Sequence, residues 1–127
     1  IRIRKFISDL NKEGFNKKKL RLTIRNLKSA NKALNFYAKK NINENAKFIK
    51  KTNIYILNEL FFSQSEEVIF RSISLVLQKI SDRYYSPRGK SILDLIYKIN
   101  SDKYKRFTLG GCCVEKVNKT TLITKEN

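Results

Sequence analysis

Two adjacent glycines near the C-terminus constrain this chain more than any other feature. Gly110 and Gly111 separate the β-prone run Arg106-Phe107-Thr108-Leu109 from Cys112-Cys113-Val114-Glu115-Lys116, and a further strand-like run, Thr121-Leu122-Ile123-Thr124-Lys125, follows. Only glycine enters positive-φ space without a steric penalty, so a Gly-Gly step between strand-like segments marks a tight turn or bulge. A second turn is expected at Asn118-Lys119. The segment predicts a small antiparallel β-meander appended to whatever precedes it.

What precedes it has a period of 3.6 rather than two. Ile3, Phe6, Ile7 and Leu10 fall at helical spacing, and Asn11-Lys12-Glu13-Gly14 reads as a helix stop. Asn16 is placed to cap a second, long helix from about Lys17 to Asn41. One face of it carries Leu20, Ile24, Leu27, Leu34, Tyr37 and Ala38; the other carries Lys17, Lys18, Arg21, Arg25, Lys28, Lys32 and Lys39. Asn43-Glu44-Asn45 reads as a loop, and Phe48-Ile49 and the run 53–57 as short strands or irregular packing segments. Ser63-Gln64-Ser65-Glu66 fits a capping box, with Ser63 as N-cap of a helix to about Ser81 that buries Ile69, Ile73, Val76, Leu77 and Ile80. Ser86 as N-cap and Pro87 at the first helical position open a last helix to about Asn100, burying Ile92, Leu93, Ile96 and Ile99. The expected fold class is mainly α: a helical domain with a small C-terminal antiparallel β-meander.

Charge narrows the choice of partner. The chain of 127 residues carries a net +17, and the excess is uneven. Residues 1–51 hold sixteen Lys/Arg against three acids, residues 52–127 twelve against eight. This asymmetry points to a polyanion, with nucleic acid ahead of an anionic membrane surface. Cations at the spacings of the second helix form a stripe that can follow a phosphate backbone and bind in a salt-dependent way. The nucleic-acid-binding candidates are Lys17, Lys18, Arg21, Arg25, Lys28 and Lys32, with Arg88 after the turn Tyr84-Tyr85-Ser86-Pro87. The competing reading is a solvated helix face in a Lys-, Asn- and Ile-rich chain of the kind AT-rich coding produces.

Other residues have weaker claims. Arg2 and Arg4 open a helix, where the macrodipole disfavours cations, which points either to an anion or a partner's carboxylates or to a frayed, exposed terminus. Arg71, inside an apolar helix, is expected to be partly buried and paired in a structural role. Tyr84 and Tyr85 offer stacking faces for unpaired bases, although tyrosines flanking a turn ordinarily pack onto their own domain.

Several functions are excluded. The longest apolar run, Ile54 to Phe62, is broken by Asn58 and Glu59, so no segment spans a bilayer. Cys112 and Cys113 are the only cysteines and there is no histidine, which rules out a zinc site and an imidazole-activated thiol. The thiols are expected to pack as small apolar groups in a reducing cytosol. The sequence contains no Gly-rich phosphate loop, no spaced carboxylate pair and no metal cluster. By its own residues the chain is a binding module without a cofactor. It contains no methionine, even at position 1, which predicts a segment of a longer protein.

Three ordered pieces resemble one family. Ile1-Arg2-Ile3-Arg4-Lys5-Phe6-Ile7-Ser8-Asp9-Leu10 with Glu13-Gly14-Phe15 is similar to the end of the catalytic domain of tRNA(Ile)-lysidine synthases, where an R-x-R pattern leads into a helix. Phe70-Arg71-Ser72-Ile73 through Tyr85-Ser86-Pro87-Arg88 resembles an R-x-L helix and Y-x-P-R turn of one bacterial branch, and Thr108-Leu109-Gly110-Gly111-Cys112 with Lys125-Glu126 its T-L-G-G-C strand and closing R-E. Lys125 stands where that branch has Arg, and the preceding half of the R-x-R motif is not in the sequence. The resemblance implies a parent enzyme that adenylates the wobble cytidine of a CAU-anticodon tRNA(Ile) with ATP and Mg, then joins lysine to it. It also implies a cytoplasmic protein and a catalytic PP-loop domain elsewhere, since the S-G-G-x-D-S loop is absent here. A second copy of the parent is a further candidate partner, and no membrane is implied.

By that resemblance Arg4 lies beside the adenylate and lysine pocket, and no other catalytic residue falls in this chain. Residues 1–14 would end the catalytic domain, 15–103 would form a helical tRNA-contacting domain, and 104–127 the meander. The alternatives are a stand-alone basic helical nucleic-acid-binding domain and a structural or dimerisation segment whose lysines reflect codon bias.

Overall fold

The computed structural model describes residues 2–12, 17–101 and 105–126. Along the chain run α1 (Arg2–Lys12), α2 (Lys17–Asn45), β1 (Ala46–Ile49), β2 (Ile54–Leu57), a short 3-10 helix (Glu59–Ser63), α3 (Glu66–Ser81), α4 (Gly89–Asn100), β3 (Arg106–Leu109), β4 (Cys112–Val117) and β5 (Thr120–Lys125). Two compact units divide the chain, Ile1–Ala33 and Leu34–Asn127. The first holds α1 and the N-terminal part of α2; the second holds every other element. The expected helix stop at Gly14, the cap at Asn16 and the Glu13-Gly14-Phe15 motif lie outside the described residues.

Helices dominate, as the apolar spacing predicts, but the β-structure is larger than a meander. Five antiparallel strands form one sheet in the order β1-β2-β5-β4-β3. Strand β5 pairs with β4 on one side and with β2 on the other, setting Tyr55 opposite Ile123 and Leu57 opposite Thr121. The short runs at 46–49 and 54–57 are therefore a hairpin that completes the sheet. Two four-residue strands have too little surface to stand alone; β1 pairs with β2, and β2 pairs in turn with β5 and covers its edge.

The glycines behave as their chemistry requires. Leu109 pairs with Cys112, so Gly110 and Gly111 form a two-residue hairpin loop. Both have positive φ, 59° and 79°, the conformation that a primed hairpin turn demands. The β4–β5 turn falls at Asn118-Lys119 as expected, with Asn118 at φ 58°.

Helices α3 and α4 bury their apolar stripes with one face of the sheet. Ile73, Leu77 and Ile80 of α3 share a core with Leu57, Val114 and Ile123 of the strands and with Ile92, Leu95 and Ile99 of α4. Leu95 belongs to that core instead of Leu93, which is 47% exposed; Ile96 is half-buried. The i, i+3, i+7 series beginning at Ile92 runs through Leu95 and Ile99, and Leu93 sits on its flank.

Helix boundaries shift wherever tertiary packing outweighs local capping. The expected capping box at Ser63 does not form. Phe61, fully buried, draws residues 59–63 into a 3-10 turn of their own, capped by the Asn58 side chain accepting from Phe61 N at 3.0 Å. Helix α3 then starts at Glu66 with Ser65 as N-cap. Helix α4 starts at Gly89 with Arg88 as N-cap, leaving Ser86 and Pro87 outside it. At the other end of the fold, α2 continues through the expected loop to Asn45. Asn41 and Asn45 are buried there. The Asn41 amide donates to the Phe61 carbonyl (3.2 Å) and to the Ser72 hydroxyl (3.1 Å), while Asn45 donates to Asn41 Oδ1 (2.9 Å). The Asn45 carbonyl accepts from Asn58 N at 3.0 Å. Satisfied buried amides extend the helix where exposed ones would end it.

Candidate nucleic-acid interface

The first turn of α2 is Lys17-Lys18-Lys19 with no acid in it. Cations there oppose the helix macrodipole and cost roughly 0.3–1 kcal/mol each at low salt. From this turn Arg21, Arg25, Lys28 and Lys32 continue at steps of four, three and four, which keeps them on one side of the helix. All six predicted cations, from Lys17 to Lys32, are exposed. At 1.5 Å per residue the row is about 22 Å long. The one acid of α2, Glu44, lies at its far end. Among the described residues none of the six makes an ion pair. A row of like charges with no internal neutralisation repels itself, and a phosphate backbone relieves that repulsion while releasing counterions.

The face expected to be buried is largely open in the first unit. Ile24 and Leu27 are exposed and Leu20 is half-buried, whereas Ala38, in the second unit, is buried. Helix α1 carries Arg4 exposed in its first turn, next to Ile3 and Phe6, which are also exposed. The side chains of Ile7 and Leu10 lie outside the described residues. Within this unit the cations and the uncovered apolar side chains occur together.

Arg88 lies in the second unit, exposed at the N-cap of α4 and without a side-chain capping bond. The neighbouring turn overturns one expectation, because Tyr84 and Tyr85 do not pack onto the domain. They are 83% and 78% exposed. Arg83, which sequence reasoning did not single out, lies with them along a cleft; an arginine next to two turn tyrosines was the available signal. Arg71, by contrast, has the structural role expected of it, pairing with Glu67 Oε1 and donating to Asn35 Oδ1, both at 2.9 Å.

Nothing described supports chemistry at the thiols. Cys112 is fully buried and lies 3.3 Å from the Leu77 carbonyl oxygen. Burial pushes its pKa up to about 11, against a smaller opposing pull from Arg83. Cys113, also buried, accepts from Arg106 Nε at 3.2 Å. Among the described residues no His, Cys, Asp and Glu side chains cluster as metal ligands, and no helix is long and apolar enough to cross a membrane.

A tRNA(Ile)-lysidine synthase of Wolbachia sp. subsp. Brugia malayi (strain TRS) is 29% identical over 107 residues, which cover 84% of this chain and 25% of that protein. Another, from Wolbachia pipientis wMel, is 28% identical over the same length and coverage. The chain is similar to tRNA(Ile)-lysidine synthases. The resemblance to that family expected from the sequence is thereby borne out. The chain spans about a quarter of the length of these curated relatives. No family profile and no solved structure matches it.

The described residues do not fit the ATP and Mg that a lysidine synthase implies. The one Gly-Gly step is a β-hairpin loop, not a strand-to-helix phosphate loop, and the space beside its glycines is taken by Pro87 and Arg83.

Proposed function

We propose that this chain is the RNA-contacting, non-nucleotide-binding region of a tRNA(Ile)-lysidine synthase. The parent would be an ATP- and Mg-dependent ligase that joins lysine to the wobble cytidine of tRNA(Ile) with a CAU anticodon. The observation that carries the reading is the row of exposed, unneutralised cations from Lys17 to Lys32, on a chain similar to enzymes named for that tRNA. In this reading Lys17, Lys18, Arg21, Arg25, Lys28 and Lys32 contact phosphates and hold the tRNA in register. Phosphate contacts position a nucleic acid without reading its bases. Arg88 adds a contact from the second unit.

The catalytic PP-loop domain would belong to the remaining length of the parent, and residues 1–14 would connect to it. Uncovered apolar residues of the first unit, among them Ile3, Phe6 and Leu27, are then the surface that domain covers. Arg4, on the same helix, would reach the edge of the adenylate and lysine pocket. The β-sheet, α3 and α4 would serve as the scaffold that holds the C-terminal end of α2.

The test is binding of this chain to a CAU-anticodon tRNA(Ile) and to an unrelated tRNA across a salt series. The expected result is affinity that falls steeply with salt and favours the isoleucine tRNA. Equal affinity for both would reduce the stripe to a general electrostatic platform, and absence of binding to either would overturn the reading.

A further inference from the structure

We propose that the cleft beside the Arg83–Pro87 turn is a stacking site for an unpaired nucleobase of RNA, an inference that rests on the RNA-binding reading above. The cleft, of about 370 Å³, is lined by Arg83, Tyr84, Tyr85, Ser86, Pro87 and Gly110. Four observations carry it.

The first is the aromatic pair itself. The rings of Tyr84 and Tyr85 meet edge to face, with centroids 4.8 Å apart and planes at 87°. Such a contact occupies one ring face and leaves the others open, and both residues are about four-fifths exposed. A single exposed tyrosine is ordinary; two in contact at the rim of a cleft offer adjoining aromatic faces.

The second is that the turn is held in place. Gln78 Nε2 donates to the Tyr84 carbonyl. Pro87 sits against the β3–β4 loop so closely that a Cβ on Gly110 would lie 2.6 Å from Pro87 Cγ. A platform fixed before binding loses little freedom when a ligand arrives.

The third is Arg83. Its guanidinium lies across Gly111, where an added Cβ would come within 2.9–3.2 Å of Nη2, Cζ and Nε. Among the described residues it forms no ion pair. A planar cation lining the same cleft as two aromatic rings supplies both a phosphate contact and a second stacking plane.

The fourth is polarity. The Ser86 hydroxyl and the two phenols provide donors and acceptors for a base edge, and the cation suits a polyanion better than it suits an apolar peptide. Aromatic faces with interleaved arginine are the recurring means of holding single-stranded nucleic acid.

The site predicts discrimination that the helix stripe does not supply. Phosphates are present on duplex and single-stranded RNA alike, but only an unpaired base offers its face. The test compares the whole chain with its Tyr84→Ala/Tyr85→Ala and Tyr84→Phe/Tyr85→Phe variants. The probes are an unstructured single-stranded RNA of roughly 12 nucleotides, within the site sizes of such proteins, and a duplex of the same length. Both positions are exposed, and circular dichroism checks that each variant is folded.

The alanine pair is expected to lower single-strand affinity at least roughly fivefold, the loss of one base–aromatic stack, and to leave duplex affinity unchanged. The phenylalanine pair is expected to retain it, because the rings remain. Undiminished single-strand affinity in the folded alanine variant would overturn the stacking site while leaving the helix stripe intact. Equal losses for both probes, or the same loss in the phenylalanine variant, would overturn it as well. Failure of the unmodified chain to bind either RNA would remove the RNA-binding reading, and this inference with it.

Discussion

Asn41 and Ser72 meet inside the fold, the amide of one donating to the hydroxyl of the other across 3.1 Å. Ser72 in turn lies 2.6 Å from the Val68 carbonyl it bonds, and Asn41 also donates to the Phe61 carbonyl. This knot ties the end of α2 to α3 and to the 3-10 helix in the buried interior. Asn41→Ala should therefore destabilise the second unit by about 1–3 kcal/mol, the cost of leaving buried polar groups unmade. Urea unfolding would measure it, and a loss under about 0.5 kcal/mol, typical of surface positions, would contradict the assignment.

The two glycines of the β3–β4 loop should respond unequally to substitution. Both have positive φ, which costs alanine about 1–2 kcal/mol in each case. Gly110→Ala adds a collision with the Pro87 ring at 2.6 Å, and that ring cannot rotate away. Gly111→Ala meets the end of the Arg83 side chain, which can. Gly110→Ala is expected to be the more destabilising in parallel denaturant titrations; the reverse order would show that Pro87 is not seated where described.

Charge reversal in the stripe should act on binding and not on folding. Lys18 and Arg25 are exposed and, among the described residues, unpaired. Lys18→Glu with Arg25→Glu should lower tRNA affinity and make its logarithmic salt slope shallower by roughly 1.4–1.8, the share of two phosphate contacts. Thermal unfolding should be nearly unchanged. An unaltered slope in a variant with intact helicity would return these residues to an ordinary solvated face.

Cys112 should make stability fall in alkali. Its thiol is raised by burial from an ordinary 9.0 to about 11, so between those values the unfolded chain releases its proton more readily than the folded one. The unfolded state then binds fewer protons, and stability declines with rising pH through that window, by at most about 3 kcal/mol. Below pH 9 the contribution is fully present. The chain and its Cys112→Ala variant, titrated side by side, should differ in slope between pH 9 and 11; identical slopes would mean the thiol is not buried.

Much of this architecture follows from local rules. The apolar residues of α3 and α4 recur at helical spacing, so their burial could be read directly, and Leu93 was misplaced only by its position on the edge of the stripe. The charge asymmetry was equally legible, since counting residues requires no fold. The candidate site is half legible: the cations of α2 recur at helical spacing, whereas Arg83 stands in a turn with no period to mark it.

The sequence by itself determined the helices, the Gly110-Gly111 turn and the excess of cations on α2. Each depends on residues within a few positions of one another, through side-chain period, steric access to positive φ, or helical spacing. Only the tertiary structure decided that the β1–β2 hairpin joins the sheet, because the second edge of β2 takes its hydrogen bonds from β5, more than sixty residues away. It decided likewise that Asn41 and Asn45 extend a helix, since the groups that satisfy them come from Phe61 and Ser72. And it decided that Tyr84 and Tyr85 stand in solvent, because Pro87, settling against Gly110, holds their turn on the outside of the core.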